Sequence, residues 1–413
     1  VEPAAVDDKG PAAGAAARKR MRAHRIVRIE LTGVFVPFRE VVSEAMAAGR
    51  GGLGMAIGAE EPWPGGDFVI CRMSADDGTA GLSEVMLWLP ETGTTVEQVV
   101  SVIRDHLSRY ALGESPFEVE RIVGRMDANV ARNEVAKGLL DMACYDLMGR
   151  IVGRPVCEML SRRPARELPM AALIPLIDPR SMAWLARAFH DSGVRTFRLK
   201  LGSGAEGDAE VVRAVREAVG GPGEGSRLRV DYNQAYSRDD AVAAIKAIEP
   251  FGIDVAEQPV GATNFVGMAE VQGRVDTPLM AHEGCFSLSD IKTLAELGGI
   301  GVVGLNSERP GGITRALEAI DFARSRGMGV VIHNQTLGIA SAAQLHLAAA
   351  RHQWLGHSPE LFGHVMLEND LIECGIDYEG GKANVPEGPG WGVELDEEAL
   401  GRYAVGPTVV IEQ

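Results

Sequence analysis

Thr196-Phe197-Arg198-Leu199-Lys200-Leu201 opens the run of segments whose repetition decides the fold. Leu228-Arg229-Val230-Asp231, Asp254-Val255-Ala256-Glu257 and Pro278-Leu279-Met280-Ala281-His282-Glu283 follow, each a short apolar stretch closing on an acid. Helical patterns separate them, at Ala209–Val219, Arg238–Ile248 and Leu288–Leu297. Strand-like runs alternating with amphipathic helices predict a parallel sheet with its helices outside. The same unit recurs upstream at Met170–Ile177 and downstream at Val302–Asn306 and Gly327–His333, with helices at Ile313–Arg324 and Ile339–Ala350. An eighth strand near Glu360–Val365 completes the set, so an α/β fold of the (β/α)₈ type is expected rather than an open sheet.

Outside this region the texture changes. Ile26–Leu31 and Phe68–Met73 read as strands, and Asp76-Asp77-Gly78 is a hairpin turn signal. Helical patterns run from about Thr95 to Leu160, and strands followed by helices predict an α+β domain. Between the first strands, Val36 to Gly66 is rich in Gly, Met and Ala, and its length suits a lid or a disordered loop. The expected division is a mobile extension over 1–20, an N-terminal α+β capping domain over 21–165, and the barrel over 166–367. A segment over 368–413 is expected to pack back on the capping domain.

Composition narrows the function classes. A net charge of −16 argues against a nucleic-acid partner, which usually calls for a basic face. Five scattered cysteines without C-x-x-C spacing argue against a disulfide framework or a zinc site, and point to a reducing cytoplasm. No apolar run has the length of a membrane span, and the first residues lack the apolar core of a signal peptide.

The acids and bases carry the chemistry. Asp231, Glu257 and Glu283 close three consecutive strands, 26 residues apart in each case. In a barrel, strand C-termini open onto one face, where active sites are built. Three carboxylates there repel one another unless a hard divalent cation such as Mg²⁺ turns repulsion into coordination. The plain alternative is that each acid is neutralised by its own Lys or Arg, but these strand ends hold few cations close by in sequence. His282 competes with Glu283 as a ligand. Alternation along a strand lets only one face inward, and the equal spacing favours Glu283, leaving His282 as a packing or supporting group.

Lys200 closes the second strand, and Arg198, two residues earlier, shares its face. Arg198 is a permanent charge, whereas Lys200 can act as a base. The plain alternative is a Lys that neutralises one of the acids. His333, closing the seventh strand before the polar Asn334-Gln335 step, is placed to handle a proton on the opposite side of a substrate.

These residues, together with Ala75-Asp76-Asp77-Gly78-Thr79-Ala80-Gly81-Leu82-Ser83-Glu84, Glu257-Gln258-Pro259, Pro310-Gly311-Gly312 and Pro389-Gly390-Trp391-Gly392, resemble the enolase superfamily. The likeness is specifically to its mandelate racemase/muconate lactonizing enzyme branch, and it covers nearly everything after Met21. It implies one Mg²⁺ per active site, with Mn²⁺ as an alternative, held by Asp231, Glu257 and Glu283. It also implies Lys200 as a proton-transfer residue acting on the α-proton of a small carboxylate substrate. A first-domain stretch closing over that substrate and a homo-oligomer are implied as well. Asn233 and Trp63 are the expected substrate contacts.

Two departures from the branch stand out. Arg198 replaces the first Lys of its Lys-x-Lys pair. Asn306 stands where one pattern pairs an Asp with the strand-seven His and another places a second Lys. Asn306 orients an imidazole without stabilising its charge, which predicts a less basic His333. The leading expectation is therefore β-elimination of water after proton abstraction by Lys200. Racemisation or epimerisation comes second and cycloisomerisation third. A non-catalytic carboxylate-binding homologue is the reading from a different class, and retention of every expected ligand and of Lys200 speaks against it.

Overall fold

The computed structural model describes residues 23–48, 63–306 and 308–413. The expected 1–20 extension and the middle of the Val36–Gly66 stretch fall outside those residues; where that stretch is described, it contains a helix, Glu40–Ala48. β1 (Ile26–Pro37), β2 (Gly65–Ala75) and β3 (Ala80–Leu87) form an antiparallel sheet, with the Asp76-Asp77-Gly78 turn joining β2 to β3. The helix Glu134–Val152 lies across β2 and β3 and is buried along nearly its whole length. Its two neighbours explain why it lacks a polar face. On one side it meets β3 at Gly81, where a Cβ would come within 2.4 Å of the Leu147 amide nitrogen. On the other it meets a barrel helix, and a Cβ on Gly138 would lie 2.7 Å from the Gly312 amide nitrogen. Only glycine allows these approaches.

β4 (Glu167–Pro169) precedes the barrel. The barrel strands are β5 (Ala171–Ile174), β6 (Thr196–Lys200), β7 (Arg227–Asp231), β8 (Ile253–Glu257), β9 (Leu279–Ala281), β10 (Val302–Leu305), β11 (Gly329–Asn334) and β12 (Glu360–Leu361). They pair in chain order, all parallel, and the Ala171 N–H donates to the Pro359 carbonyl at 2.8 Å where β5 meets β12. The architecture is thus an eight-stranded, near-closed parallel barrel with an N-terminal antiparallel capping domain. β13 (Tyr378–Glu379) and β14 (Lys382–Asn384) form a hairpin paired to β4, and β15 (Val409–Glu412) returns to pair antiparallel with β1.

Register places the chemistry. Lys200 pairs with Asp231, and Asp231 with Glu257, so three charged groups stand in one row at the C-terminal rim of the sheet. Two residues back on the same face, Val255 belongs to a small apolar plug with Met280, Val302 and Val331. A charged layer therefore rests on a sealed apolar one.

Buried carboxylates clamp the cap onto the barrel. Glu84 on β3 accepts the Leu337 and Ala340 N–H groups at 2.6 and 3.1 Å, capping the otherwise uncapped helix Gly338–Leu355. Glu308 accepts the Met86 N–H at 2.9 Å and the Asn334 amide at 3.0 Å. Asp146, within the cap, accepts the Leu82 and Trp391 N–H groups at 2.7 and 2.6 Å and so ties the C-terminal segment to the cap. Among the described residues, no helix is long and apolar enough to cross a membrane.

Candidate active site

A cavity opens at the C-terminal rim of the barrel, walled on the cap side by Met86, Trp88 and Glu91. Lys200, Asp231, Asn233, Glu283, Asn306 and His333, singled out from the sequence, all line it. Lys200 Nζ lies 2.6 Å from Asp231 Oδ2 and 2.8 Å from Asn233 Oδ1. Asn233 and Gln234 adopt positive φ (43° and 66°), a left-handed turn that brings Asn233 back over the strand end. From there its N–H also holds Asp231 Oδ1 at 2.9 Å.

Arg198 sits beneath. Its Nη1 is 3.0 Å from Asp231 Oδ2 and from both oxygens of Glu257, and its Nη2 is 2.7 Å from Glu360 Oε1. Arg229, from β7, pairs with the other Glu360 oxygen at 3.0 Å. Asp231 and Glu257 therefore do have close cations, contrary to the sequence expectation, because the barrel brings Arg198 and Lys200 across to them. Burial alone would raise Asp231, but Lys200 and Arg198 outweigh it and hold the carboxyl below its usual range. Burial pushes Glu257 up to about 8 despite Arg198, with the Asp231 charge adding to the rise. Glu283 is pushed up to about 7 by burial, Asp231 and Glu91.

His282 is the clearest departure from the sequence reading. β9 ends at Ala281, so strand alternation no longer applies to His282 and Glu283, and both side chains face the cavity. His282 Nδ1 lies 3.5 Å from Glu257 Oε1 and 3.7 Å from Glu283 Oε2. Its ring packs against that of His333, with centroids 3.8 Å apart. Its Nε2 faces two N–H donors, Arg309 Nη2 at 2.9 Å and Asn306 Nδ2 at 3.4 Å. Two donors at Nε2 make that nitrogen the acceptor and leave the ring proton on Nδ1.

Asn306 accordingly serves His282 rather than His333: its Nδ2 faces His282, and its Oδ1 accepts the Arg309 N–H at 2.8 Å. His333 Nε2 lies 3.7 Å from Glu257 Oε1 and has no hydrogen-bond partner. Burial holds both imidazoles neutral, well below the ordinary histidine range, helped for His282 by Arg309 and Arg198 and for His333 by Arg198 and Arg229.

The site fits a divalent cation. Glu283 Oε2 is a buried oxygen without a hydrogen-bond partner, as a carboxylate left to coordinate a cation would be. Asp231, Glu257 and Glu283 are not the tightest donor group, however. Among the described residues, the set at this site whose donor atoms all lie within 4.8 Å of one another is Glu257, His282 and His333. Trp63 is also displaced from its expected role. It stands behind the cavity wall, stacked on Trp88 at 4.4 Å.

Sequence reasoning missed Glu360, Arg229, Arg309 and Glu91. The first two come together only when β12 closes on the barrel. Arg309, which pairs with Glu91, joins the cap to His282 across 218 residues of chain. The acid that opens the last barrel strand, Glu360, was the one signal available.

Comparison with known proteins agrees with this geometry. Residues 181–399 match the family model described as enolase C-terminal domain-like, and residues 53–161 match the mandelate racemase/muconate lactonizing enzyme N-terminal domain. The chain belongs to the mandelate racemase/muconate lactonizing enzyme branch of the enolase superfamily. Within this branch it is similar to a hydrophobic dipeptide epimerase of Enterococcus faecalis, 33% identical over 69% of this chain and 80% of that one. An N-succinyl-L-Arg/Lys racemase of Bacillus cereus is 28% identical over 83% of this chain and 91% of that one. The crystal structure of the N-succinyl Arg/Lys racemase superposes with a TM-score of 0.83 at 25% identity, covering 94% of this chain and all of the other. The dipeptide epimerase with Mg and L-Leu-L-Tyr bound gives 0.79 at 28% identity, covering 89% and 99%. A chloromuconate cycloisomerase of Cupriavidus pinatubonensis is 30% identical over 81% of this chain and 91% of that one. The chain is thus an enolase-superfamily enzyme that abstracts an α-proton, and these relatives are isomerases, not dehydratases.

Proposed function

We propose that the enzyme is a racemase or epimerase of a small carboxylate. The observation that carries this reading is the separation of Asn306 from His333. Elimination is favoured only if Asn306 weakens His333, and Asn306 instead contacts His282. Lys200 on β6 and His333 on β11 line one cavity, with β5 and β12 between their strands, so they approach it from different sides. A 1,1-proton transfer needs that pair: one group removes the α-proton and the other returns a proton to the opposite face.

The resting protonation states suit it. Burial holds His333 neutral, with its Nε2 unpartnered, and Lys200 is ion-paired to Asp231. In one direction His333 Nε2 takes the α-proton and Lys200 Nζ delivers its proton to the other face. In the reverse direction the two exchange roles. Arg198 and Glu360 are positioning residues that keep Asp231 and Glu257 fixed while Lys200 changes charge. Asp231, Glu257 and Glu283 are the carboxylates that would hold Mg²⁺ or Mn²⁺, with His282 beside them. Such a cation, when bound, neutralises the substrate carboxylate and the charge that grows on its oxygens.

The test is to incubate single enantiomers of N-succinyl amino acids and dipeptides with the metal-supplemented enzyme and follow them by chiral chromatography. Inversion at the α-carbon is expected. Absence of inversion in all of them, with loss of water from the serine- and threonine-containing members, overturns the isomerase reading in favour of elimination.

A further inference from the structure

We propose that this enzyme selects carboxylates whose α-substituent is uncharged and apolar, an aromatic ring best of all, through the exposed face of Trp88. The inference deepens the isomerase reading and rests on the cavity being its substrate site.

The charged half of the cavity lies on the barrel, so a substrate carboxylate bound there points its substituent toward the cap wall of Met86 and Trp88. Trp88 is held rigid from behind. Trp63 stacks on it at 4.4 Å with an interplanar angle of 18°, and Phe38 packs edge-on against Trp63 at 4.9 Å. A ring fixed before binding loses little freedom when a substituent settles on it.

Among the described residues, the charges near that wall are already committed. Glu91 pairs with Arg309, and Glu308 is taken by the Met86 N–H and the Asn334 amide. A cationic side chain would therefore reach the wall and find no free anion, although an indole face and a carboxylate lie close together there. An anionic side chain fares no better, since Arg309 is held by Glu91 and His282. Hydroxyl groups against Met86 and Trp88 would go unpaired, at a cost of about tenfold in affinity for each one buried. Of the two substituent types named in similar enzymes, the hydrophobic one suits this wall and the Arg/Lys one does not.

The experiment measures binding of unreactive probes to the full-length, Mg²⁺-supplemented enzyme by calorimetry: acetate, hexanoate, 3-phenylpropanoate, 6-aminohexanoate and gluconate. The expected order puts 3-phenylpropanoate tightest and 6-aminohexanoate and gluconate no better than acetate. Trp88→Ala should weaken 3-phenylpropanoate by about tenfold while leaving acetate within about twofold, and Trp88→Phe should restore most of the loss. If Trp88→Ala does not fold, Trp88→Phe and Trp88→Leu carry the comparison, with Leu losing the preference for phenyl over hexanoate. Tighter binding of 6-aminohexanoate or gluconate than of 3-phenylpropanoate overturns the inference, as does an equal loss for acetate and 3-phenylpropanoate in the variants. The expected binding order without inversion of any chiral acid would support this inference and overturn the isomerase reading, so the two fail separately.

Discussion

Glu84→Gln should make the enzyme less stable in acid and more stable in alkali than the parent, with the two stability curves crossing at about pH 6. Glu84 is fully buried at the junction of cap and barrel, and burial pushes its carboxyl up to about 8 from an ordinary 4.5, against the pull of the Ala340 and Leu337 N–H groups. A folded-state pKa above the unfolded one contributes stability that is complete below about 4.5 and is lost as pH rises through about 8. The difference of about 3.5 units corresponds to a ceiling of about 5 kcal/mol lost by pH 9, of which about 3 is already gone at pH 7. The amide has no such titration. It cannot accept two N–H groups in the same way, and one donor facing its NH₂ costs about 1–3 kcal/mol at any pH. The variant should therefore be the less stable at pH 5 and the more stable by about 2 kcal/mol or more at pH 9. Urea unfolding of both proteins from pH 5 to 9, read by tryptophan fluorescence, measures the difference directly. A difference that does not change with pH would refute the assignment of a high pKa to this clamp.

Further outcomes follow from the site. Excess Mg²⁺ over an EDTA-treated sample should raise the thermal midpoint, by the equivalent of about 2.7 kcal/mol at a hundredfold excess over Kd. Glu283→Gln should abolish most of that gain, and an unchanged midpoint in the parent would exclude a cation here. Glu360→Gln should destabilise the protein by about 3–5 kcal/mol, because Arg198 and Arg229 lose their shared counter-charge in a buried layer; equilibrium unfolding at pH 7.5 checks it.

Much of this was legible in the chain, for identifiable reasons. Lys200, Asp231 and Glu257 each close an apolar run, and that local pattern survives folding because parallel strands in register bring their ends into one row. Two-residue alternation placed Arg198 beside Lys200 because β6 runs unbroken from Thr196 to Lys200. The same rule misplaced His282, since β9 stops one residue earlier and the chain there is already a loop. Asn306 just past β10 and His333 near the end of β11 stand on adjacent strands, which invites pairing them, yet the side chain of Asn306 turns toward the neighbouring β9 end. Glu360, Arg229, Arg309 and Glu91 have partners far away in sequence, and no local signal encodes which residues barrel closure and cap docking will join.

The central claim is that Lys200 and His333 serve opposite faces of one α-carbon. It is tested most directly by enantiomer-resolved exchange of the α-proton in D₂O with Lys200→Gln and His333→Asn. The account predicts complementary halves: each variant loses inversion by a factor of about 10² or more, yet still exchanges the α-proton of one enantiomer, and the two variants keep opposite ones. Exchange of the same single enantiomer by both variants, or of both enantiomers by either, would contradict it.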